Sequence, residues 1–463
     1  MALDLLAISR SLIATDSRSS VSSRPVIDLL MPLCDAAGLR TTLYEESRDG
    51  VFQFDLVAVR PGASDLPPLL LNTHLDTVPP GDPGLWTECE GSPLRLTQRD
   101  GMLYGLGAAD VKLDFACKLL ALERLRNEPL RRTVVLAGTY GEETGRWGAQ
   151  LLARSLRPLP AMALVGEPTS LRPCSAHKGY LEIHVSARQA ARLPRADAFW
   201  RLVFDGVAAH SSQPHKGHSA NDACLEALVQ LNRSGARVLA LDGGDLVNRV
   251  STQASMIVAA DERPLVAGAC VEPVERPADA LWAPGLIDLL LAVHESTVLL
   301  RNDLRSHVLD GFDPPWSTVN NGLVGISGGS LHHVVDIRRL SGEHPESSIA
   351  AHLERLRTAA RSSACEAEVT QRLESPPFQG DDTSRVATTL RRILSDGSMP
   401  IEPERKSGTT EASVYSALGI DTLVFGPGQA GGNIHRPNEH VPLADLHAAI
   451  DVYTDLVKEL ASC

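Results

Sequence analysis

The sequence predicts an α/β fold in which a mainly parallel sheet, sandwiched by helices, is interrupted by a smaller α+β domain. Three observations carry that expectation. Residues 1–177 alternate continuous apolar strands with amphipathic helices, the order that builds a parallel sheet with crossover helices. From Lys178 the strands instead alternate apolar and polar residues, the pattern of a sheet with one wet face. Past Pro376 the covered style returns. The expected layout is a main domain in two parts, 1–177 and 378–463, with a second domain over 178–377.

Taken in order, "LDLLAISRSLI" and "PVIDLLMPLCDAAGL" carry apolar residues at helical spacing, the second stopped by Gly38. "FQFDLVAVR" and "PPLLLNTHLD" follow as strands. "DFACKLLALERLRNE" and "WGAQLLARSL" predict helices around the covered strand "RRTVVLAGTYGEE", and "AMALVGEPT" predicts a further strand. In the second domain "GYLEIHVSARQ" and "WRLVFDGVAAH" read as strands and "SANDACLEALVQLNR" as a helix. "PGLIDLLLAVHESTVLLRNDL" predicts a helix, "TVNNGLVGISGG" and "SLHHVVDIRRL" two strands, and "PESSIAAHLERLRTAARSS" another helix. The stretch from Ala240 to Asp279, rich in Pro, Gly and Asp, has no clear period. "TSRVATTLRRILSD", "IDTLVFGPG" and "ADLHAAIDVYTDLVKEL" close the chain as helix, strand and helix.

Composition narrows the function. With 43% hydrophobic and 22% charged residues over 463 positions, the chain is long enough for two or three domains with a sizeable core. A formal net charge of -13 argues against nucleic acid or an anionic membrane as partner. No apolar stretch approaches the roughly 20 residues a membrane helix needs, and the start lacks the basic-then-apolar order of a secretory signal, so a cytoplasmic location is expected. Eight cysteines, with no CxxC pair, make a disulfide framework or a cysteine zinc site unexpected. Reduced, mostly buried thiols are the expectation.

The chemistry gathers where strands end. In open α/β sheets, ligands sit beyond the carboxyl ends of the strands. "LLLNTHLD" ends in His74 and Asp76, "VVLAGTYGEE" in Glu142 and Glu143, and "ALVGEPT" in Glu167, while "GLGAAD" puts Asp110 ahead of a helix. Any one of these carboxylates reads equally well as a helix cap or a solvated loop residue. Their repetition does not. Several carboxylates in one partly dry crevice raise one another's pKa steeply unless a cation compensates them. Histidine with carboxylates suits zinc, cobalt or manganese better than magnesium or calcium. "GPGQAGGNIHRPNEH" supplies a further histidine, His435, in a glycine-rich loop after the last strand.

The ordered series "HLDTVP", "YGLGAADVK", "GEETG", "GEPT", "HKG", "AHSSQPHKG", "SGTTEA" and "GPGQAGGNIHRPNEHV" resembles the metal-dependent aminoacylase and carboxypeptidase family that includes acetylornithine deacetylase, succinyl-diaminopimelate desuccinylase and glutamate carboxypeptidase. The resemblance runs over the whole chain. It implies a zinc-peptidase-like catalytic domain interrupted by a lid, with two divalent ions, zinc, cobalt or manganese. His74, Asp110 and Glu167 would hold one ion, and Asp110, Glu143 and His435 the other. Glu142 would be the general base, and Asp76 would orient His74 through its second ring nitrogen. Where the family usually has Met-Lys-Gly after the bridging aspartate, this chain has Val111, Lys112 and Leu113. The family's cis peptide would stand at Asp110–Val111.

For the lid, the resemblance implies that His210 supports the oxyanion in the partner subunit's active site, so that a homodimer paired through "SANDACLEALVQL" belongs to the mechanism. A surface histidine, like His215 and His218, is the plain alternative. Arg338 in "DIR" would grip a substrate carboxylate, with Arg339 beside it as the plain surface pair. The loop of Asn-Val-Pro-Asp type that the family places before this strand has no counterpart here. Gly408 and Thr409 in "SGTTEASVY" would contact substrate. The expected activity is hydrolysis of the amide bond of an N-acyl amino acid, acetylornithine deacetylase-like, with a desuccinylase or dipeptidase as alternatives. Two other classes stand beside it: a catalytically silent binding relative, which the intact Glu142 and Asp76 oppose, and a dinucleotide loop at "YGLGAAD", which lacks the last glycine of GxGxxG.

Overall fold

The apolar runs fold as the covered strands their composition dictates. In the computed structural model, which describes residues 3–462 apart from 195 and 197, with Leu373 described by its backbone alone, the chain divides into two units. One comprises Met1–His177, Phe378–Arg405 and Thr410–Cys463, and the other Lys178–Pro377 with Lys406–Thr409.

The first unit is built on β1 (Arg40–Arg48), β2 (Val51–Arg60), β3 (Leu69–His74), β4 (Val134–Thr139), β5 (Met162–Val165), β6 (Cys174–His177), β7 (Phe378–Gln379) and β8 (Asp421–Val424). Their order across the sheet is β1-β2-β4-β3-β5-β8-β6-β7, with a ninth short strand beside β6. Every residue of β3, β4 and β5 is buried, which is why these segments read as unbroken apolar runs. β4, β3, β5 and β8 run parallel. The flanking strands run antiparallel, β2 against β4 and β7 against β6. The sheet is therefore mixed: a parallel centre carries antiparallel flanks, one of them a hairpin closed by Asp49 and Gly50, both left-handed at φ 48° and 79°.

Alternation along the strands feeds two cores. Leu69, Leu71, Val134 and Leu136 pack with helices Leu5–Ala14, Arg24–Ala36, Lys112–Arg124, Arg385–Asp396 and Leu443–Ser462. Leu70, Val135 and Ala137 face the other way, onto Ala149 and Leu152 of helix Trp147–Ser155 and onto Ala412 and Tyr415. The parallel strands therefore end together at one polar edge.

The second unit is an eight-stranded antiparallel sheet. Its order is Cys270–Pro273, Phe199–Asp205, Gln253–Ala259, Arg237–Gly243, Thr318–Ser327, Ser330–Arg339, Gly179–Arg188 and Glu366–Ser375. Helices Ala220–Arg233, Pro284–Leu304 and Glu343–Ser362 pack their apolar residues against it. The unplaced stretch from Ala240 to Asp279 holds the end of one of these strands and two others, the outermost of them Cys270–Pro273, which buries none of its residues and so shows no apolar signature.

Among the described residues, Cys34, Cys89, Cys117, Cys174 and Cys224 are buried free thiols, whereas Cys270 is exposed and Cys365 half-buried. None of the described helices is long and apolar enough to cross a membrane.

Candidate metal centre

At the polar edge of the first unit the strand ends bring histidines and carboxylates together. His74 is the last residue of β3, Glu142 and Glu143 follow β4, and Glu167 lies two residues beyond β5. His435 comes from the loop after β8 with a left-handed backbone at φ 58°, and Asp110 precedes helix Lys112–Arg124 across a cis peptide to Val111. Leu113, standing where the family has glycine, is fully buried in the larger core.

The Asp110 carboxylate lies between the two imidazoles. Its Oδ1 is 3.2 Å from His74 Nε2 and its Oδ2 is 3.2 Å from His435 Nε2. Glu143 closes the second side, with Oε2 3.1 Å from the same His435 nitrogen. One ligand atom each from Asp110, Glu143 and His435 lies within 4.8 Å of the others, a spacing open to a metal ion. Asp110 thus presents one oxygen to each histidine, the arrangement a bridging ligand requires. Glu167, buried at 5% exposure, faces the same region and raises the pKa of Glu142, but it is not part of that triad.

The charges show what the donor set lacks. Burial and the neighbouring Glu167 hold the Glu142 carboxyl well above its ordinary range, and burial and Asp110 raise Glu143. Burial works against protonation of the histidines, yet hydrogen bonds to Asp110 and Asp76 hold His74 well above the imidazole range, and those to Asp110 and Glu143 push His435 up to about 11. Carboxyls pushed up and imidazoles pushed up are two signs of the same excess of negative charge. Asp110 and Glu143 with the two imidazoles, in this spacing, fit divalent cations with nitrogen and oxygen preference, such as zinc, cobalt or manganese.

Asp76 does more than the motif suggested. His74 Nδ1 is 3.4 Å from Asp76 Oδ1 and 3.1 Å from the Asp76 carbonyl oxygen, which keeps a proton on that nitrogen and turns Nε2 toward Asp110. The Asp76 carboxylate also accepts the backbone N–H groups of Glu142 and Glu143 at 3.1 and 3.3 Å and the Ser19 hydroxyl at 2.6 Å. One acid therefore holds both a histidine and the turn that carries the two glutamates.

Glu439, inside the "RPNEH" motif but given no role from sequence, is fully buried. Its carboxylate accepts the N–H groups of Ala109 and Asp110 at 2.8 and 2.9 Å and that of Gly107 at 3.2 Å. It shapes the turn that presents Asp110. On one face of β3, the buried pair Asp114 and Lys118, 2.7 Å apart and one helical turn distant, holds the Thr73 hydroxyl. Neither partner could be picked out from sequence, because both sit in an amphipathic helix where charge ordinarily means a solvated face.

The remaining expected site residues lie in the second unit. His210 is exposed, and its Nδ1 accepts the backbone N–H of Ser212 at 3.1 Å, which places the ring proton on Nε2. Arg338 points to the buried face of its strand, whereas Arg339 pairs with the half-exposed Glu374. The Arg338 guanidinium is held by Asp336 through Nε at 3.0 Å and Nη2 at 3.1 Å and lies 4.0 Å over the Tyr180 ring. Asp336 also accepts the Ser211 hydroxyl at 2.8 Å and so links the His210 loop to the Arg338 strand. His215 pairs with Asp313 at 3.0 Å. Gly408 and Thr409 are half-buried in the short segment that belongs to this unit.

Residues 70–459 match the model of peptidase family M20/M25/M40. An acetylornithine deacetylase from Myxococcus xanthus is 29% identical over 450 residues, 96% of this chain and 93% of that protein. One from Proteus mirabilis is 32% identical over 260 residues, 52% of this chain and 60% of that protein. Among solved structures, aminoacylhistidine dipeptidase from Vibrio alginolyticus superposes with a TM-score of 0.73 at 15% identity, covering 98% of this chain and 96% of that one. The sheet of mixed sense, the helices on both faces and the match over most of its length agree: the chain belongs to peptidase family M20/M25/M40 and is a metal-dependent hydrolase.

Proposed function

We propose that the chain hydrolyses the amide bond of an N-acyl amino acid, with N-acetylornithine as the first candidate, at a dinuclear zinc or cobalt centre. The observation that carries this reading is the placement of the Asp110 carboxylate between His74 and His435, with Glu143 beside the second. His74, Asp110 and Glu167 would hold one ion and Asp110, Glu143 and His435 the other. Two ions there would offset the crowded carboxylates, polarise the amide carbonyl and lower the pKa of water to about 7.

Glu142 is assigned the general base. Its raised pKa suits a group that takes a proton from the attacking water and returns it to the departing amine. Asp76 keeps His74 in the tautomer that presents Nε2 and fixes the turn bearing Glu142. His210, with its proton on Nε2, is assigned as donor to the tetrahedral oxyanion, from the lid of a second subunit. Arg338, preset by Asp336, is assigned to the substrate carboxylate, and Gly408 and Thr409 to contacts along the substrate. Residues 178–377 would then be lid and dimerisation domain, in a cytoplasmic homodimer. The names of the two curated relatives support the deacetylase choice.

Amine release from a panel of N-acetyl, N-succinyl and dipeptide substrates, on chelator-stripped protein with and without zinc or cobalt, tests the proposal. Metal-dependent turnover of N-acetyl substrates is the expected result. A preference for succinyl or dipeptide substrates would replace the deacetylase assignment, and bound metal without turnover on any of them would favour a silent binding relative. Sedimentation of the same preparation should give a dimer.

A further inference from the structure

Beneath the candidate centre lies a buried acid that none of the roles above uses. Glu411, fully buried, follows Thr410 in the "SGTTEA" motif. A single oxygen, Oε2, accepts hydrogen bonds from two strands: from the Asn72 side-chain amide of β3 and from the Thr139 hydroxyl of β4, the latter at 2.8 Å. Asn72 is completed by the Tyr415 hydroxyl, which donates to Oδ1 at 2.8 Å. Asn72 stands two residues before His74, and Thr139 is the register partner of His74 and lies three residues before Glu142. The Thr139 carbonyl also accepts the N–H of Leu75 at 2.8 Å.

We infer that Glu411 is a positioning residue for the metal centre: it ties the carboxyl ends of β3 and β4 so that His74 and the Glu142–Glu143 turn are held at one separation before any ion arrives. This rests on the reading of His74 and Glu143 as metal ligands. The geometry argues for it in two ways. A shared acceptor constrains two donors jointly, so sliding of β4 past β3 breaks at least one bond. The other oxygen, Oε1, is buried and takes no hydrogen bond from the described residues, so the carboxylate stays buried at a desolvation cost that the two donors on Oε2 only partly offset. Groups hydrogen-bonded directly to metal ligands typically change metal affinity 10- to 100-fold when lost, and Glu411 acts one residue further out, through Asn72 and Thr139.

The test compares Glu411→Gln, which can still accept both bonds, with Glu411→Met, which fills the space and accepts neither. Zinc affinity is read by competition with a chromogenic chelator, stability by denaturant unfolding of the stripped chain, and kcat and KM at saturating zinc. Glu411→Met should bind zinc about 10-fold more weakly, the low end of that range, and Glu411→Gln should stay within about threefold of the parent. Leu390→Ala, in the larger core on helix Arg385–Asp396, should lose stability with unchanged zinc affinity. If Glu411→Met does not fold, Thr139→Val, which removes one donor without changing shape, should weaken zinc about threefold or more. Zinc affinity unchanged in the variants that lose the bonds, despite lower stability, would make Glu411 merely structural and overturn the inference. Glu411→Gln as impaired as Glu411→Met would overturn it too, since charge and not hydrogen bonding would then be at work. A parent chain that binds no zinc would instead overturn the metal reading on which the inference stands.

Discussion

The histidines of the two units are the same side chain under opposite electrostatic conditions. His74 and His435 in the first unit each lie 3.2 Å from the Asp110 carboxylate, whose hydrogen bonds hold both imidazoles above their ordinary range. His333 and His352, in the interior of the second unit, hydrogen-bond to neutral groups among the described residues: His333 Nε2 donates to Asn321 Oδ1 at 2.9 Å, and His352 Nδ1 meets the Ser296 hydroxyl at 2.8 Å. Burial pushes them down to about 3 and about 4, and each keeps one ring nitrogen without a hydrogen bond among the described residues. Burial without a carboxylate hydrogen bond, here with Arg355 beside His352, makes a histidine a neutral core residue. Added carboxylates, in number beyond what two imidazoles can balance, make it part of a cation site.

The largest effect that would sharpen this contrast comes from Glu142, proposed above as the general base and not as a ligand. Glu142→Ala should lower turnover by roughly two or more orders of magnitude while zinc content by elemental analysis stays near that of the parent. Loss of both ions would mean that Glu142 and Glu143 have been exchanged. Next, His435→Ala should cost at least about 100-fold in zinc affinity with little effect on folding, whereas His352→Ala should leave zinc affinity alone and destabilise the chain by about 1–3 kcal/mol through the lost packing and the lost bond to the Ser296 hydroxyl, which keeps only its bond from Arg355 Nε at 3.0 Å. Equal behaviour of the two variants would erase the distinction.

Acid should act on the second unit in a defined direction. The folded pKa values of His333 and His352 lie below the unfolded value of about 6.5, so the unfolded chain binds more protons as pH falls. Their contribution is complete above about pH 6.5 and is lost toward pH 4, amounting to about 2 kcal/mol per histidine by pH 5. Denaturant unfolding of the parent and of His352→Gln between pH 7 and pH 5 checks this. A steeper decline in the variant would contradict it. The smallest effect belongs to surface pairs: Arg24→Ala, removing the half-exposed ion pair with Asp28, should change stability by less than about 1 kcal/mol in either unit's terms.

What the sequence made legible follows from the same physics. Covered strands announce themselves because both faces are apolar, so β3, β4, β5 and β8 and the polar residues that end them stood out. β1, with Arg40, Glu45, Glu46 and Arg48 along an edge, drew no assignment, since charge on an edge strand protects it from pairing and removes its apolar signature. The antiparallel sense of β2 was invisible because strand direction lies in the pairing and leaves no mark on composition. At the site, His74, Asp110, Glu143 and His435 were readable as a motif series. Glu411, Glu439 and Asp336 were not assigned, because an acid whose work is to accept hydrogen bonds from backbone or amide groups has no spacing of its own. The breadth of Asp76's work was missed for that reason as well.

The most direct test of the account is a zinc titration of the chelator-stripped chain, with protons released and amine formed from an N-acetyl amino acid followed together. Two ions per chain should bind, displacing protons from His74 and His435, and turnover should rise with them, while Asp110→Asn should lose all three responses. Full turnover in the stripped chain, or undiminished zinc binding by Asp110→Asn, would contradict the claim that this shared carboxylate organises the centre.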